Sequence, residues 1–235
     1  MADLSGSARA AYVANMFDRI AGRYDLLNRL MTFGQDRRWR REAVRSLSLT
    51  PGARVLDLGA GTGDLSFEVL RQQPTARPTA ADFSLPMMRV GRQRPAGDRT
   101  GWVMADALRL PFAAGTFDGV VSGFLLRNVS DVPAALAEQA RLLRRGGRLV
   151  CLDTTPPRSG WMRPLLRFHL HVVIPLLGRW VARDPEAYNY LPDSTERFLQ
   201  AEALAARLTA AGLSQAGYVR RMLDTVAIHW ASKPG

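Results

Sequence analysis

The chain has 235 residues, 47% of them apolar, which is enough for one sizeable core and a single domain. Its formal net charge of +11 invites a nucleic-acid partner, but Lys233 is the only lysine and the arginines are scattered singly or in pairs through every segment. No basic stripe of the kind that tracks a phosphate backbone is present, so nucleic acid is set aside, while a positive face toward anionic lipid stays open. One cysteine, Cys151, inside an apolar run excludes a disulfide framework and a thiolate metal site. With no charged-then-apolar leader and no window of ~18 apolar residues, a cytoplasmic location is expected.

Residues 1–10 are small and polar and read as a frayed end. Over 11–30, Val13, Met16, Phe17, Ile20, Leu26, Leu27 and Leu30 recur at helical spacing with an interruption near 22–25, so two short helices are expected. A further helix is expected over 36–47, with Trp39, Ala43 and Val44 on one face, ending before the turn signal Pro51-Gly52. Such helices either cap a ligand or simply extend the packing.

The stretch that organises the chain follows. An apolar run, Val55-Leu56-Asp57-Leu58, breaks into Gly59, Gly61 and Gly63, and a helical pattern (Leu65, Phe67, Val69, Leu70) begins at once. Strand, tight turn and helix in that order let a ligand press against peptide N–H groups at a helix N-terminus. A dinucleotide fingerprint would need glycine at position 64, where the chain has Asp64. The turn therefore reads as a nucleoside site without a pyrophosphate, or as a plain strand-to-helix turn. Asp57 repels phosphate and suits an ammonium. S-adenosylmethionine offers both an adenosine and an aminoacyl end.

Beyond the loop, strand and helix patterns alternate, which predicts a mostly parallel sheet with helices on both faces. The second strand, 78–83, carries Asp82 at its end, followed by Phe83; an acid there receives ribose hydroxyls. Ser84 is placed to cap the next helix, which carries Met87, Met88 and Val90. The third strand, 102–104, leads to Asp106 and Ala107, a short acid for an adenine amino group and a small neighbour that leaves room for the ring. The strand over 117–124 delivers Arg127 and Asn128 to the ligand side, as chemistry or as a loop clasp. A helix over 134–143 is expected to end at Gly146-Gly147, before a fifth strand over 148–153. The dense apolar segment 161–181, punctuated by arginines, is too interrupted to span a bilayer; it serves an interface, an apolar tunnel or the core. His169 and His171 point to different helix faces, and no metal site is expected. A loop over 184–192 holds Tyr188 and Tyr190, a helix is expected over 194–211, and the last strands over 218–221 and 225–231.

The residues Met16-Phe17-Asp18-Arg19-Ile20-Ala21, Tyr24-Asp25-Leu26-Leu27-Asn28, Thr32-Phe33-Gly34 with Trp39-Arg40, the glycine loop through Asp64, Arg127-Asn128-Val129, Tyr190-Leu191-Pro192-Asp193-Ser194 and Ala227-Ile228-His229 together resemble the ubiquinone/menaquinone biosynthesis C-methyltransferases, in order and from end to end. The resemblance implies a class I S-adenosylmethionine-dependent methyltransferase: a Rossmann-like α/β sheet with an N-terminal helical cap (1–50), a cofactor-binding core (51–154), a helical insertion after the fifth strand (155–192) and a C-terminal helix with the last strands (193–235). Asp57, Gly59, Gly61, Thr62, Gly63, Asp82, Phe83, Asp106, Ala107 and Gly123 would hold the cofactor. Arg127 and Asn128 would stand beside the acceptor, and Phe17, Tyr24, Asp25 and Tyr190 would belong to the substrate or cap. The chain departs from the family pattern at Gly123 and Leu125, where Leu125 must fill space that a glycine leaves open.

The implied acceptor is an isoprenoid quinol, most naturally demethylmenaquinol on the way to menaquinol, met on the inner face of the membrane; a homodimer is compatible with this. An oxidised quinone is too electron-poor to attack a sulfonium methyl, so the reduced ring must react as it loses a hydroxyl proton. Positive charge at Arg127 suits the developing oxyanion, and a water held by Arg127 and Asn128 suits proton removal. Competing readings are a methyltransferase for another apolar small molecule and a basic RNA-binding methyltransferase.

Overall fold

The structure is a computed structural model and describes residues 6–157, 172–173 and 194–235. Three helices come first: α1 (Gly6–Ile20), α2 (Tyr24–Met31) and α3 (Asp36–Ser46), with a 3-10 turn over Ala21–Arg23 where the sequence pattern breaks. Strand and helix then alternate through β1 (Arg54–Leu58), α4 (Asp64–Gln72), β2 (Arg77–Asp82), α5 (Leu85–Arg92), β3 (Gly101–Met104), β4 (Phe117–Gly123), α6 (Val132–Leu142) and β5 (Leu143–Thr154). The chain closes with α7 (Ala201–Ala210), β6 (Ser214–Arg221) and β7 (Val226–Ser232). The strands form one sheet in the order β3-β2-β1-β4-β5-β7-β6. The first five are parallel, and β7 runs antiparallel to both of its neighbours.

Side-chain alternation along the central strands divides the core into two layers. Leu56, Leu58, Val120, Leu149 and Cys151 pack with Leu136 of α6 and Leu204 and Leu208 of α7. Val55, Val121, Val150, Leu152 and Ile228 pack on the other face with Trp39 and Val44 of α3 and Val69 of α4. Burying each such side chain contributes about 1.5–3 kcal/mol, so the arginine-rich α3 is held by Trp39, Ala43 and Val44 despite its polar remainder.

Helix ends are closed by groups both near and far in sequence. Ser84 Oγ accepts from Met87 N at the start of α5, and Asp131 Oδ1 accepts from Ala134 N at the start of α6. The C-terminus of α6 is closed by Lys233, whose Nζ donates to the carbonyl oxygens of Ala140 (2.8 Å), Arg141 (3.3 Å) and Leu143 (2.8 Å). His229 Nε2 lies 2.9 Å from Ala201 O, tying β7 to the first turn of α7.

Three expected boundaries move. Gly146-Gly147 does not end a helix: α6 stops at Leu142, and the pair lies within β5, where Gly146 N donates to Lys233 O and Lys233 N to Gly147 O. Helical structure is not continuous from 194 to 211; residues 197–200 leave the helix before α7 begins. β6 starts at Ser214, earlier than the expected 218. The apolar segment 161–181 lies outside the described residues apart from 172–173, as do Tyr188 and Tyr190. Among the described residues no helix is long and apolar enough to cross a membrane.

Candidate active site

The site forms where β1, β2, β3 and β4 end on the same side of the sheet. Gly59, Gly61 and Gly63 all have positive φ, the left-handed region that side chains resist. Gly59 N and Ala60 N both donate to Ala81 O, and Gly61 N donates to Asp82 Oδ2 at 2.7 Å. A Cβ on Gly59 would come within 2.8 Å of Leu125 Cδ1, so Leu125 fills the space its departure from the family pattern requires, directly against the loop. Gly63 has a different duty. It is the N-cap of α4 and has no side chain to offer, and a Cβ there would strike Trp102 at 2.7 Å.

Asp57 supplies the missing cap from β1. Its Oδ2 accepts from both Ser66 N and Ser66 Oγ at 2.8 Å, satisfying an orphan donor in the first turn of α4. Asp57 is 0% exposed and its Oδ1 has no hydrogen-bond partner. Burial pushes its carboxyl up to about 7, and the nearby charges of Asp82 and Asp64 add to this against the Ser66 bonds. Asp57, expected to meet a ligand ammonium, stands behind the loop and does not line the cavity in front of it.

A cavity of about 390 Å³ opens in front of it, within the range of small-molecule sites. Of the expected cofactor residues, Gly59, Gly61, Asp82, Phe83, Asp106, Ala107 and Gly123 line it; Asp57, Thr62 and Gly63 do not. Asp82 Oδ1 accepts from Ser84 N at 2.7 Å, and with a further backbone bond from Phe83 the carboxylate still keeps lone-pair capacity for a ligand hydroxyl. Burial raises its pKa, opposed by these backbone bonds. Asp106, exposed, accepts from Leu108 N at 2.9 Å. Two carboxylates at adjacent strand ends beside a bare glycine backbone fit the diol and amino group of an adenosine. Asp57 behind them, in its ionised form, favours a ligand with net positive charge, as S-adenosylmethionine has.

The cap completes the other half. Val13 and Phe17 of α1 and Tyr24 of α2 line the cavity, Phe17 and Tyr24 meeting edge to face at 5.7 Å between centroids. Tyr24 is held protonated chiefly by burial, although Asn28 and the charges of Arg127 and Arg40 favour ionisation. Asp25 turns away from the cavity and latches α2 to the loop: Thr62 Oγ1 donates to its Oδ1 at 2.7 Å and Arg94 to its Oδ2 at 3.0 Å. Arg94 also reaches Asp64 Oδ1 (2.8 Å) and Thr62 O (3.2 Å), and its guanidinium lies 4.8 Å from the Phe67 ring centre. Against burial, Arg40 and Arg94 hold the Asp64 carboxyl low. Sequence reasoning missed Arg94, which sits in no motif and meets Asp25 across 69 residues.

Past β4 the chain turns through Phe124, at φ +58°, and Asn128 Nδ2 donates to Phe124 O at 2.9 Å. Asn128, Phe124, Leu125 and Val129 line the cavity. Arg127 does not. At 7% exposure its Nη1 donates to Asp153 Oδ1 at 2.6 Å, its guanidinium lying 5.1 Å from the Phe124 ring centre, so the loop clasp is realised with a carboxylate at the end of β5. Tyr190 lies outside the described residues. No group of three or more metal-ligating side chains occurs among the described residues.

Strand order with a reversed β7, a glycine loop between β1 and α4, and acids at the ends of β2 and β3 define the class I methyltransferase fold. The [4+2]-cyclase SpnF superimposes with a TM-score of 0.70 at 19% identity, covering 99% of this chain and 98% of its own. Sequence comparison narrows the class: the profile of the ubiE/COQ5 methyltransferase family matches residues 5–233, and the chain belongs to that family. A protein of Desulfotalea psychrophila named ubiquinone/menaquinone biosynthesis C-methyltransferase UbiE is 48% identical over 221 residues, 94% of this chain and 90% of its own length. One of Roseiflexus castenholzii named demethylmenaquinone methyltransferase is 42% identical over 231 residues, 97% and 95% of the two chains.

Proposed function

We propose that the chain methylates a ring carbon of a reduced isoprenoid quinone precursor, demethylmenaquinol, with S-adenosylmethionine as the methyl donor. The observation that carries the reading is a single cavity with two chemistries. One half has the glycine loop, Asp82 and Asp106; the other is mostly apolar, formed by Val13, Phe17, Phe124, Leu125 and Val129, with Tyr24, Asn128 and Ser130 as polar groups. The names of relatives at 42–48% identity support the acceptor class.

When bound, the donor supplies an electrophilic methyl on a sulfonium. The chain's residues must then orient the acceptor ring and manage one proton. Asp82 receives the ribose hydroxyls, Asp106 the adenine amino group, and the Gly59–Gly61 backbone permits close approach. Tyr24, kept protonated by burial, donates a hydrogen bond to the acceptor oxygen as it gains negative charge. Arg127 works from behind: held by Asp153, it contributes positive potential at Tyr24 and fixes the turn that carries Asn128. A guanidinium, which stays protonated, is no proton acceptor, and neither is a protonated Tyr24. Among the described residues that line the acceptor half there is no carboxylate, so the hydroxyl proton leaves to water beside Asn128.

The test is single-turnover methyl transfer with chemically reduced short-tail naphthoquinol and benzoquinol acceptors, followed by mass spectrometry of the product. Methyl on the naphthoquinol ring carbon is expected. No transfer to either quinol, with S-adenosylmethionine bound, refutes the reading.

A further inference from the structure

The two faces of α2 differ in chemistry. Inward, Tyr24 lines the cavity, Asp25 holds Thr62, and Leu27 and Met31 are buried. Outward, Leu26 is 51% exposed and Leu30 40%, and Phe33 in the following turn is 73% exposed. Spacings of four and three keep these residues near one stripe.

The chain on either side of that stripe is one-sided in charge. Residues 19–45 contain eight arginines and three acids. Each acid is turned to a partner within the protein: Asp25 to Thr62 and Arg94, Asp36 to Arg40, and Glu42 to Arg221. Arg37, Arg38, Arg41 and Arg45 are exposed. Aliphatic and aromatic side chains in a cationic surround, with the acids withdrawn, match the demands of an anionic lipid interface. A second copy of the chain fits poorly, because a two-fold contact would bring these arginines face to face. Nucleic acid fits poorly as well, since Leu26 and Leu30 offer neither charge nor a stacking plane.

We propose that the outer face of α2 and the adjoining arginines of α3 seat the protein on an anionic membrane surface. Leu26, Leu30 and Phe33 enter the headgroup layer and the arginines meet lipid phosphates. Because Tyr24 lies on the inner side of the same helix, docking sets the cavity beside the bilayer that holds a tailed acceptor. That last link rests on the acceptor proposed above; the docking face does not.

The experiment is vesicle co-sedimentation of the full chain with phosphatidylcholine alone and with an equal mixture of phosphatidylcholine and phosphatidylglycerol. Wild type is expected to bind the mixed vesicles and to lose binding at high salt. The double variant Leu30→Asp, Phe33→Asp should bind roughly ten-fold or more weakly. Arg37→Gln, Arg38→Gln should lose about five-fold for each charge removed. Both variants should keep the melting temperature and the S-adenosylmethionine affinity measured by titration calorimetry. No binding of wild type to mixed vesicles overturns the proposal, as does undiminished binding by folded variants, which would move the contact elsewhere in the chain. A double variant that only dissociates a dimer, or only loses binding to a single-stranded oligonucleotide, overturns it too. If wild type binds vesicles as expected but methylates no quinol in any format, the acceptor reading falls and the docking face stands.

Discussion

Replacing Asp57 with Asn tests the electrostatics of the loop directly. In the folded protein this carboxyl titrates at about 7, against an ordinary 3.8, because burial disfavours its ionised form. Below pH ~4 the group is protonated in both folded and unfolded chains, and its stabilising proton is fully in place. As pH rises through 7 the folded state must ionise a buried group, and stability on the order of 4 kcal/mol is lost from this site. Between pH 5 and 8 the share is about 2–3 kcal/mol. Asn keeps an oxygen for Ser66 but leaves a buried NH2 without an acceptor, a roughly constant cost of about 1–3 kcal/mol. Urea unfolding of both proteins across that pH range separates the two effects, since only the first changes with pH. The stability of Asp57→Asn relative to wild type should rise by about 2–3 kcal/mol from pH 5 to pH 8. A pH-independent difference would show that Asp57 is already ionised at pH 5 and refute the account of the buried charge. The same logic makes binding of a cationic donor tighten as pH rises through 7 in wild type and lose that dependence in Asp57→Asn.

Asp82→Ala removes the proposed ribose acceptor and the anchor of Gly61 N and Ser84 N; calorimetry should show S-adenosylmethionine affinity lowered about ten-fold or more. Unchanged affinity would remove Asp82 from the site. Arg127→Gln strands Asp153 in the core and should lower stability by about 3–5 kcal/mol, with turnover of the folded fraction falling as well, whereas a clasp alone predicts loss of stability only. Melting curves and single-turnover rates on one preparation tell these apart. Asp25→Asn weakens the latch to Arg94 and Thr62, so donor dissociation followed by stopped flow should quicken while thermal stability changes little; an unaltered rate means that the cap opens elsewhere.

What could be read from the sequence was local. Gly59, Gly61 and Asp82 announce themselves because a turn, a close backbone approach and a strand-end acid each leave a short-range pattern. The meaning of Asp57 was half legible: its place at the end of β1 was clear, but only the absence of a side chain at Gly63 explains why it reaches to Ser66. Gly146-Gly147 looked like a helix stop because its partner, Lys233, lies at the far end of the chain, and strand pairing at that distance leaves no local trace. Arg94 was invisible for the same reason. Arg127 shows the limit most clearly, since the same residue at the same strand end serves equally as a cavity group or as a partner for Asp153, and only packing decides.

Lys233 is the one lysine in a chain whose lysines and arginines number 32. Three carbonyl oxygens around its Nζ require a donor whose hydrogens fan out from a point, and a flat guanidinium cannot send three bonds to oxygens so arranged. Arginines elsewhere use the planar fork, as Arg141 does on Glu138; the end of α6 asks for the other geometry. The position is thus a handle for amine chemistry inside a folded protein. A reagent that modifies this half-buried ε-amine must compete with its three carbonyl bonds, so its rate of labelling reports how often the Lys233 side chain leaves the end of α6.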